Sequence, residues 1–268
     1  MKLTILTDNN TFIDRYYFGE PALSFYIEDG DETILFDTGY SDVYMKNARL
    51  MGLDLSRVDK LVISHGHVDH TGGLVAFSQQ YWQKRLPLIA HPDAFDRKYS
   101  GGENTGSILD AEQLTRAFLL TPAKAPVRVT ENILFLGEIP QLTDFEPRAP
   151  MGFTVHCGEE LPDRNADDSA LVYEGKDGIY IITGCSDSGI CNIIEYAKQV
   201  TGRDRVLGVI GGFHLFATDE RLEKTIEYFL ANGIPAIYPC HCVSLHARAA
   251  MIEKLPVIET GTGFSVSF

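Results

Sequence analysis

The ten residues at positions 64–73, SHGHVDHTGG, constrain what this chain can fold into and bind more than any other stretch does. They include three histidines and an aspartate within six positions, and the Leu-Val-Ile segment directly before them is typical of a buried strand. Residues two apart on extended backbone point the same way, so the imidazoles of His65 and His67 can bind one ion together. Asp69 and His70 follow one turn further on and can bind a second ion. Because zinc, iron and manganese favour imidazole and carboxylate ligands, the stretch predicts a metal site at a strand end.

The rest of the chain alternates strand and helix patterns without a linker or an internal repeat. Among these patterns we expect an edge strand over residues 2–7, helices over about 72–84 and over 109–119, and a strand near 257–260. Its 268 residues are 44% hydrophobic, which is enough for a sizeable core. We therefore expect one α/β domain over residues 1–268. A Gly-rich polar loop and a helix pattern break the alternation around residues 96–120, and this insertion is a candidate lid. Its flanking Lys98 is expected either to neutralise an anion or to lie on the solvated surface.

Charge and composition restrict the partners of the protein. A net charge of −14 argues against nucleic-acid binding, but an anionic substrate remains compatible because bound divalent ions can reverse the local potential. No apolar run approaches the roughly 20 residues of a membrane span, and the first residues read as a strand and not as a secretion signal. Five cysteines without framework spacing fit a reducing compartment. We expect a cytoplasmic protein that acts on a small molecule without membrane or nucleic-acid partners. Its oligomeric state is not readable from the sequence.

Polar residues recur where the later strand patterns end. Asp187, His214 and His241 each follow an apolar run, and Cys185 precedes Asp187 in the same turn. Side chains at the ends of successive strands emerge on one rim of a sheet, so we expect these residues close to the histidine stretch. A lone histidine at a strand end is usually structural, whereas three polar positions beside a metal motif favour a shared site.

The pattern H-x-H-x-D-H, with the strand before it and the Gly-Gly after it, resembles the metal-binding signature of the metallo-β-lactamase superfamily. The resemblance implies a four-layer αββα sandwich with mixed sheets. It also implies two divalent metal ions, with zinc expected and manganese or iron as alternatives. His241 stands at the place of the superfamily's last histidine, which binds the second metal. The resemblance further implies that Asp37 braces the histidine loop from behind, with a turn or helix-cap role as the alternative.

Two further stretches resemble one subgroup, named for dihydropterin-ribofuranosylaminobenzene-phosphate synthase. The first is Gly-Glu-Ile-Pro from position 137 followed by Phe-Glu-Pro, and it implies that Glu138 and Phe145 line the substrate pocket. A plain connecting loop is the alternative. The second is Gly-Gly-Phe-His, which implies that His214 is either a metal ligand or a substrate contact.

The chain departs from the pattern of that subgroup at Asp187. Members of the subgroup typically read Gly-Cys-Ser-His, whereas this chain reads Gly-Cys-Ser-Asp. Either Asp187 takes over as an oxygen ligand, which favours manganese or iron over zinc, or Cys185 is the ligand instead. The superfamily's usual histidine between the two halves also has no clear counterpart. Asp168 stands roughly at the place of that histidine, and Asp167 is an almost equally good candidate. The alternative is that both aspartates form an acidic turn without a ligand role.

The resemblance implies a metal-dependent hydrolase. Water activated by two ions would attack an ester or phosphoester of a small, anionic substrate, and Asp69 would accept its proton. The subgroup also allows a synthase reaction of the dihydropterin-phosphate type. Two other functions stay open. One is a non-catalytic or regulatory ligand-binding protein on a degenerate metal site, motivated by Asp187. The other is a diiron redox enzyme, whose usual flavin domain has no counterpart expected here.

Overall fold

The computed structural model describes residues 1–268. Its strands are β1 (Lys2–Thr7), β2 (Ser24–Asp29), β3 (Glu32–Phe36), β4 (Lys60–Val62), β5 (Pro87–Ala90), β6 (Arg97–Ser100), β7 (Glu103–Asn104), β8 (Leu119–Pro122), β9 (Val127–Arg128), β10 (Ile133–Phe135), β11 (Phe153–His156), β12 (Glu159–Pro162), β13 (Ala170–Glu174), β14 (Ile179–Thr183), β15 (Val206–Gly212), β16 (Ile237–Cys240) and β17 (Ser265–Ser267). Its α-helices are α1 (Val43–Leu50), α2 (Val68–Thr71), α3 (Leu74–Gln80), α4 (Ala111–Ala117), α5 (Ile190–Thr201), α6 (Glu220–Ala231) and α7 (Leu245–Ile252). None of these helices combines the length and the apolar character needed to span a bilayer.

Two mixed sheets form the centre of the molecule. The first runs in the order β17-β1-β2-β3-β4-β5-β8, and the second in the order β16-β15-β14-β13-β10-β9. Side chains of both sheets, including Phe36 and Ile182, form the apolar layer between them. Tyr44 of α1 belongs to a second apolar layer outside the first sheet, and Phe229 of α6 to a third outside the second sheet. Helix, sheet, sheet and helix therefore form the four-layer αββα sandwich that was predicted.

Parallel pairing brings the polar strand ends to one edge of this sandwich. In the first sheet β3 pairs in parallel with β4, and in the second sheet β14, β15 and β16 run parallel. Each of these strands is apolar because it is covered on both faces, and each is followed by one or more polar residues. The carboxyl ends of parallel strands share an edge, which is why residues distant in sequence meet there.

The predicted insertion differs from a polar loop. Strands β6 and β7 form a hairpin around Gly101 and Gly102, both with positive φ, and they join β11 and β12 in a third, four-stranded sheet. The glycines of this turn gave the loop-like composition. The helix predicted over 109–119 is shorter, because Phe118 leaves α4 in an extended conformation and the chain continues into β8.

Three other elements differ from the sequence expectation. Strand β1, expected at a sheet edge, lies inside the first sheet because β17 pairs with it. The helix expected over 72–84 is shorter, because α3 spans only Leu74–Gln80 and Gly72 and Gly73 separate it from α2. A Cβ on these glycines would fall 2.2 Å and 2.0 Å from backbone carbonyl oxygens, so the chain passes there too closely for any other residue. The strand expected near 257–260 is reduced to one isolated bridge at Val257.

Candidate metal centre

An open cavity of about 450 Å³ lies over the edge where the strands end. Its floor carries most of the polar residues predicted at the strand ends, together with asparagines that follow β1. The lining residues are Asn9, Asn10, Pro21, His67, Asp69, Met151, Cys185, Asp187, His214, Phe216, His241, Cys242, Val243 and Ser244.

Three side chains at the floor form what we name the first cluster: His65, His67 and Asp187. Nε2 of His65 lies 3.1 Å from Nδ1 of His67. Oδ2 of Asp187 lies 3.4 Å from Nε2 of His65 and 3.9 Å from Nδ1 of His67. The two histidines therefore converge as their spacing predicts, and Asp187 supplies an oxygen as the third candidate ligand.

Four side chains beside it form the second cluster: Asp69, His70, Cys185 and His241. Oδ2 of Asp69 lies 3.1 Å from Nε2 of His241 and 3.7 Å from Nε2 of His70. Sγ of Cys185 lies 3.3 Å from Nε2 of His70. The sequence left Asp187 and Cys185 as alternatives for one role, whereas the structure places one in each cluster.

The surroundings of the Asp187 carboxylate indicate whether the side chains of the first cluster suit a cation. Its side chain is only 2% exposed, and neither oxygen has a hydrogen-bond partner. Nδ1 of His214 lies 2.8 Å from Oδ1, which makes a close ion-pair distance without hydrogen-bond alignment. The other oxygen, Oδ2, faces His65 and His67 without a donor, which is costly for a buried carboxylate, and a divalent cation among these imidazoles would satisfy it. The residues of the first cluster therefore fit a metal ion.

Asp37 braces the histidine loop from behind, in the position that the family resemblance implies. Its Oδ1 accepts a hydrogen bond from the backbone N–H of Ser64 at 2.7 Å, and its Oδ2 accepts one from the Ser64 hydroxyl at 2.7 Å. Nδ1 of His70 donates to the same Oδ2 at 2.7 Å. Nδ1 of His65 lies 2.9 Å from Oγ of Ser64. Both imidazoles are thus held through Nδ1, which leaves each Nε2 free to face a metal.

His241 is held in the same way by the segment that follows β1. Its Nδ1 lies 2.8 Å from Oδ1 of Asn9, and its backbone N–H donates to Oδ1 of Asp8 at 2.8 Å. The imidazole therefore presents Nε2 to the second cluster. Asn9 and Asp8 were not singled out from the sequence, although they follow a strand end as the other site residues do.

Several site residues adopt left-handed backbone conformations. Asp37, Ser186, His214 and His241 have φ between 47° and 58°. Such conformations cost of the order of 1 kcal/mol or more for residues other than glycine, and they persist where the surroundings fix them. Each lies within three residues after the end of a strand, where a sharp turn redirects the chain.

Electrostatics favours a cation at the floor of the cavity. Burial, reinforced by the neighbouring charge of His70, lowers the pKa of His65 well below its ordinary value. Burial also disfavours charge on His70, but the carboxylates of Asp69 and Asp37 raise its pKa to about 9. Burial would raise the pKa of Asp69, yet His70 and His241 hold it well below its usual range. The site thus combines ionised carboxylates with a neutral His65, whereas His70 carries a proton that a metal ion at the second cluster would displace.

A second thiol, missed by the sequence analysis, lies beside Cys185. Sγ of Cys242 lies 3.3 Å from the carbonyl oxygen of Cys185 and accepts a hydrogen bond from the backbone N–H of His214 at 3.3 Å. Cys185, His214 and Cys242 form a third group whose donor atoms lie within 4.8 Å of one another. The position of Cys242 next to His241 was the only sequence signal for it. His214 itself lines the cavity beside Asp187, compatible with either predicted role.

Asp168 is not brought into either cluster. Its Oδ2 accepts hydrogen bonds from the backbone N–H of Ser188 at 2.8 Å and from the Ser188 hydroxyl. Burial and the nearby charge of Asp187 raise its pKa to about 7. Asp167 accepts from the backbone N–H of Gly66 at 2.7 Å. Both aspartates therefore hold loops of the site, and Asp187, not either of them, lies beside His65 and His67.

Glu138 and Phe145 lie outside the cavity, contrary to the expectation that they line it. The carboxylate of Glu138 pairs with Nζ of Lys124 at 2.9 Å. Phe145 packs against the outer apolar layer of the second sheet, with Nζ of Lys224 5.9 Å from its ring centroid. The loop that carries both residues instead packs against the start of α5, where Glu146 accepts hydrogen bonds from the backbone N–H groups of Cys191 and Asn192 at 3.2 Å and 3.0 Å.

Fold and site together define a class of protein. The family model of the metallo-beta-lactamase superfamily matches residues 17–198. This chain belongs to that superfamily, whose members typically bind divalent metals.

Particular relatives match nearly the whole chain. A Methanocaldococcus jannaschii protein named 7,8-dihydropterin-6-methyl-4-(beta-D-ribofuranosyl)-aminobenzene-5'-phosphate synthase is 29% identical, over 95% of this chain and 91% of the relative. An uncharacterized protein of the same organism is 32% identical, over 94% of each chain. The crystal structure of Tm1679, described as a metal-dependent hydrolase of the beta-lactamase superfamily, superposes with a TM-score of 0.86 at 28% identity, covering 100% of this chain and 99% of the other. The subgroup resemblance noted in the sequence is therefore supported along nearly the full length.

Proposed function

We propose that this protein is a metal-dependent hydrolase that cleaves an ester or phosphoester of a small, anionic substrate. The observation that carries the proposal is the pair of adjoining ligand clusters at the floor of one open cavity. The first cluster would hold one divalent ion and the second cluster another. When bound, such ions supply Lewis acidity and a water of lowered pKa.

The chain's own groups have distinct parts in this proposal. Asp69 lines the cavity with its side chain 29% exposed, so its carboxylate can accept a proton from an attacking water. Asn9, His214 and Ser244 line the same cavity and offer polar groups that can orient the substrate. Asp37 and Asn9 keep the imidazoles of His70 and His241 in place from behind.

The donor sets favour different metals at the two clusters. Two imidazoles and a carboxylate in the first cluster suit zinc, iron or manganese. The thiol of Cys185 adds a soft donor to the second cluster, which favours zinc or iron there and disfavours manganese. We therefore propose zinc in the second cluster and a more exchangeable ion in the first. The incorporation of Asp187 into the first cluster also supports a working metal site over a degenerate one.

Elemental analysis of protein purified without added metal is the first test. About two ions per chain, followed by metal-dependent cleavage of members of a panel of phosphomonoesters, phosphodiesters, thioesters and lactones, would support the hydrolase. His65→Ala should abolish that cleavage, whereas Lys224→Ala on α6 should not. Retention of metal without turnover of any ester would instead favour the non-catalytic, ligand-binding function.

A synthase reaction is the second candidate. Identity of 29% to the named synthase over 95% of this chain favours it. The product in that name contains a dihydropterin joined through a methyl group to a ribofuranosyl-aminobenzene phosphate. Chromatographic detection of that product, formed only by metal-loaded protein, would support the synthase. Cleavage of simple esters without such a product would support the hydrolase.

A further inference from the structure

We infer that Lys98 is a positioning residue for the first cluster and that the inserted β6–β7 hairpin is a fixed brace of the metal loop and not a lid. The inference rests on the proposed function, because it assumes that the clusters bind metal. Lys98 lies on β6, outside the sequence motifs that suggested the site.

Lys98 is buried between two carboxylates. Its Nζ lies 2.8 Å from Oδ1 of Asp167 and 2.9 Å from Oδ2 of Asp163. The three side chains are at most 5% exposed. A lysine so deeply desolvated is costly unless it is paired, and two buried carboxylates this close would repel each other without it. The three groups are therefore mutually dependent.

Each of the two carboxylates reaches the metal loop. Oδ2 of Asp167 accepts the backbone N–H of Gly66 at 2.7 Å, midway between the histidines of the first cluster. Oδ2 of Asp163 lies 3.9 Å from Nε2 of His67. At this distance the two groups are within ion-pair range but beyond hydrogen-bond reach, and the carboxylate faces the ring nitrogen opposite the Nδ1 that faces the first cluster.

The backbone of the hairpin is also joined to the metal loop. His67 and Gly106 form an isolated antiparallel bridge, and the N–H of Val68 donates to the carbonyl of Thr105 at 2.8 Å. The N–H of Thr105 in turn donates to the carbonyl of Lys98 at 3.0 Å. These contacts attach the insertion to the loop on the side of His67, so the hairpin is not free to open and close over the cavity.

The brace acts on one cluster only. His70 and His241 of the second cluster are held by Asp37 and Asn9, and neither contacts Lys98 or its two carboxylates. Loss of Lys98 should therefore loosen metal binding at the first cluster and leave the second nearly unchanged. A purely structural lysine would have no such selectivity.

Stepwise cobalt(II) titration of the full chain tests this selectivity. Cobalt at the second cluster gives a thiolate-to-cobalt charge-transfer band from Cys185, whereas the first cluster has no sulfur and contributes only ligand-field bands. We expect Lys98→Met to weaken binding at the first cluster by about 10- to 100-fold, as is typical when an outer-shell partner is lost, while the charge-transfer band titrates as in the wild type.

Lys198→Met is the matched control. Lys198 on α5 is 12% exposed and paired with Glu195 at 2.9 Å, but it lies on the outer side of the second sheet. It should lower the melting temperature without changing either cobalt step. If Lys98→Met does not fold, Asp163→Asn is titrated instead, and we expect the same selective weakening of cobalt binding at the first cluster. Equal weakening of both steps, or an unchanged first step, would overturn the inference. A wild-type chain that binds no cobalt would instead contradict the proposed function.

Discussion

The carboxylate of Asp37 contacts both halves of the candidate metal centre. Through Ser64 it fixes His65 of the first cluster, and it binds His70 of the second cluster directly. The side chain is fully buried, and its backbone is left-handed with φ 57°. One residue thus sets the orientation of two imidazoles that are five positions apart.

Replacing Asp37 by Asn should weaken metal binding at both clusters. The amide has one acceptor oxygen, so at least one of the donors from Ser64 and His70 loses its partner. We expect about 10- to 100-fold lower metal affinity and an unfolding free energy lowered by about 1–3 kcal/mol. Competition with a chromophoric chelator and urea unfolding measure the two effects.

Asp29→Asn provides the matched control, because Asp29 is a buried carboxylate that binds Thr130 and Asn132 far from the site. Asp29→Asn should lower the unfolding free energy and leave the metal affinity unchanged. Equal metal affinities in the Asp37 variant and the wild type would contradict the role of Asp37.

Cys185 distinguishes the chemistry of the two clusters. We expect Cys185→Ser to lower zinc affinity at the second cluster by at least about tenfold and to improve relative binding of manganese, because a hydroxyl is a harder donor than a thiolate. Cys191→Ser, at a buried cysteine of α5, is the control and should leave the metal preference unchanged. Zinc and manganese competition, followed by elemental analysis, gives the readout. An unaltered zinc preference would exclude Cys185 as a ligand.

Among the elements, the third sheet has its own pH-sensitive contact. Nδ1 of His156 on β11 lies 2.6 Å from Oδ2 of Asp96, the residue before β6. The hydrogen bond with Asp96, together with the charges of Asp96 and Asp93, raises the pKa of His156. The folded protein therefore holds this proton more tightly than the unfolded chain does.

This contact should stabilise the protein only at lower pH. Its contribution is complete below the ordinary histidine pKa of about 6.5 and is lost as the pH rises through the higher folded-state value. We expect the melting temperature of His156→Gln to fall below that of the wild type at about pH 5.5, with the gap closing at about pH 9. The effect should be small because the pair is exposed. A gap that widens as the pH rises would contradict the assignment.

At the scale of the whole molecule, the metal centre joins the two sheets. His65, His67, Asp69 and His70 follow β4 of the first sheet, whereas Cys185, Asp187 and His241 follow strands of the second. An ion held in either cluster would therefore cross-link the two halves of the sandwich.

Zinc should raise the stability of the folded chain by mass action. At a free concentration about 100 times the dissociation constant, one site adds about 2.7 kcal/mol, which corresponds to a melting temperature higher by about 5–10 °C. Scanning calorimetry with zinc and with a chelator measures the difference. His241→Ala should reduce the increase in melting temperature caused by zinc. A melting temperature that changes with neither zinc nor the chelator would argue against zinc binding to the folded state.

The sequence alone determined the features that depend on near neighbours. The spacing of His65, His67, Asp69 and His70 fixes their relative directions locally, and apolar runs before Asp37, Asp187 and His241 mark the strand ends that carry them. The histidine motif, with the strand before it and the glycines after it, was enough to predict the family and the four-layer fold, and both predictions are confirmed. The metal-ligand roles stay predictions.

Only the tertiary structure decided which distant residues meet. Asp168 accepts a hydrogen bond from Ser188, whereas Asp187 lies beside His65 and His67, an arrangement that depends on tertiary packing. The sequence left open whether Lys98 neutralises an anion or lies on the solvated surface, and the third sheet buries it between two carboxylates beside the metal loop. Glu138 matched a subgroup motif, but its carboxylate pairs with Lys124 and does not line the cavity. Local spacing specifies where a side chain points, whereas its partner is set by long-range packing, which a one-dimensional pattern does not contain.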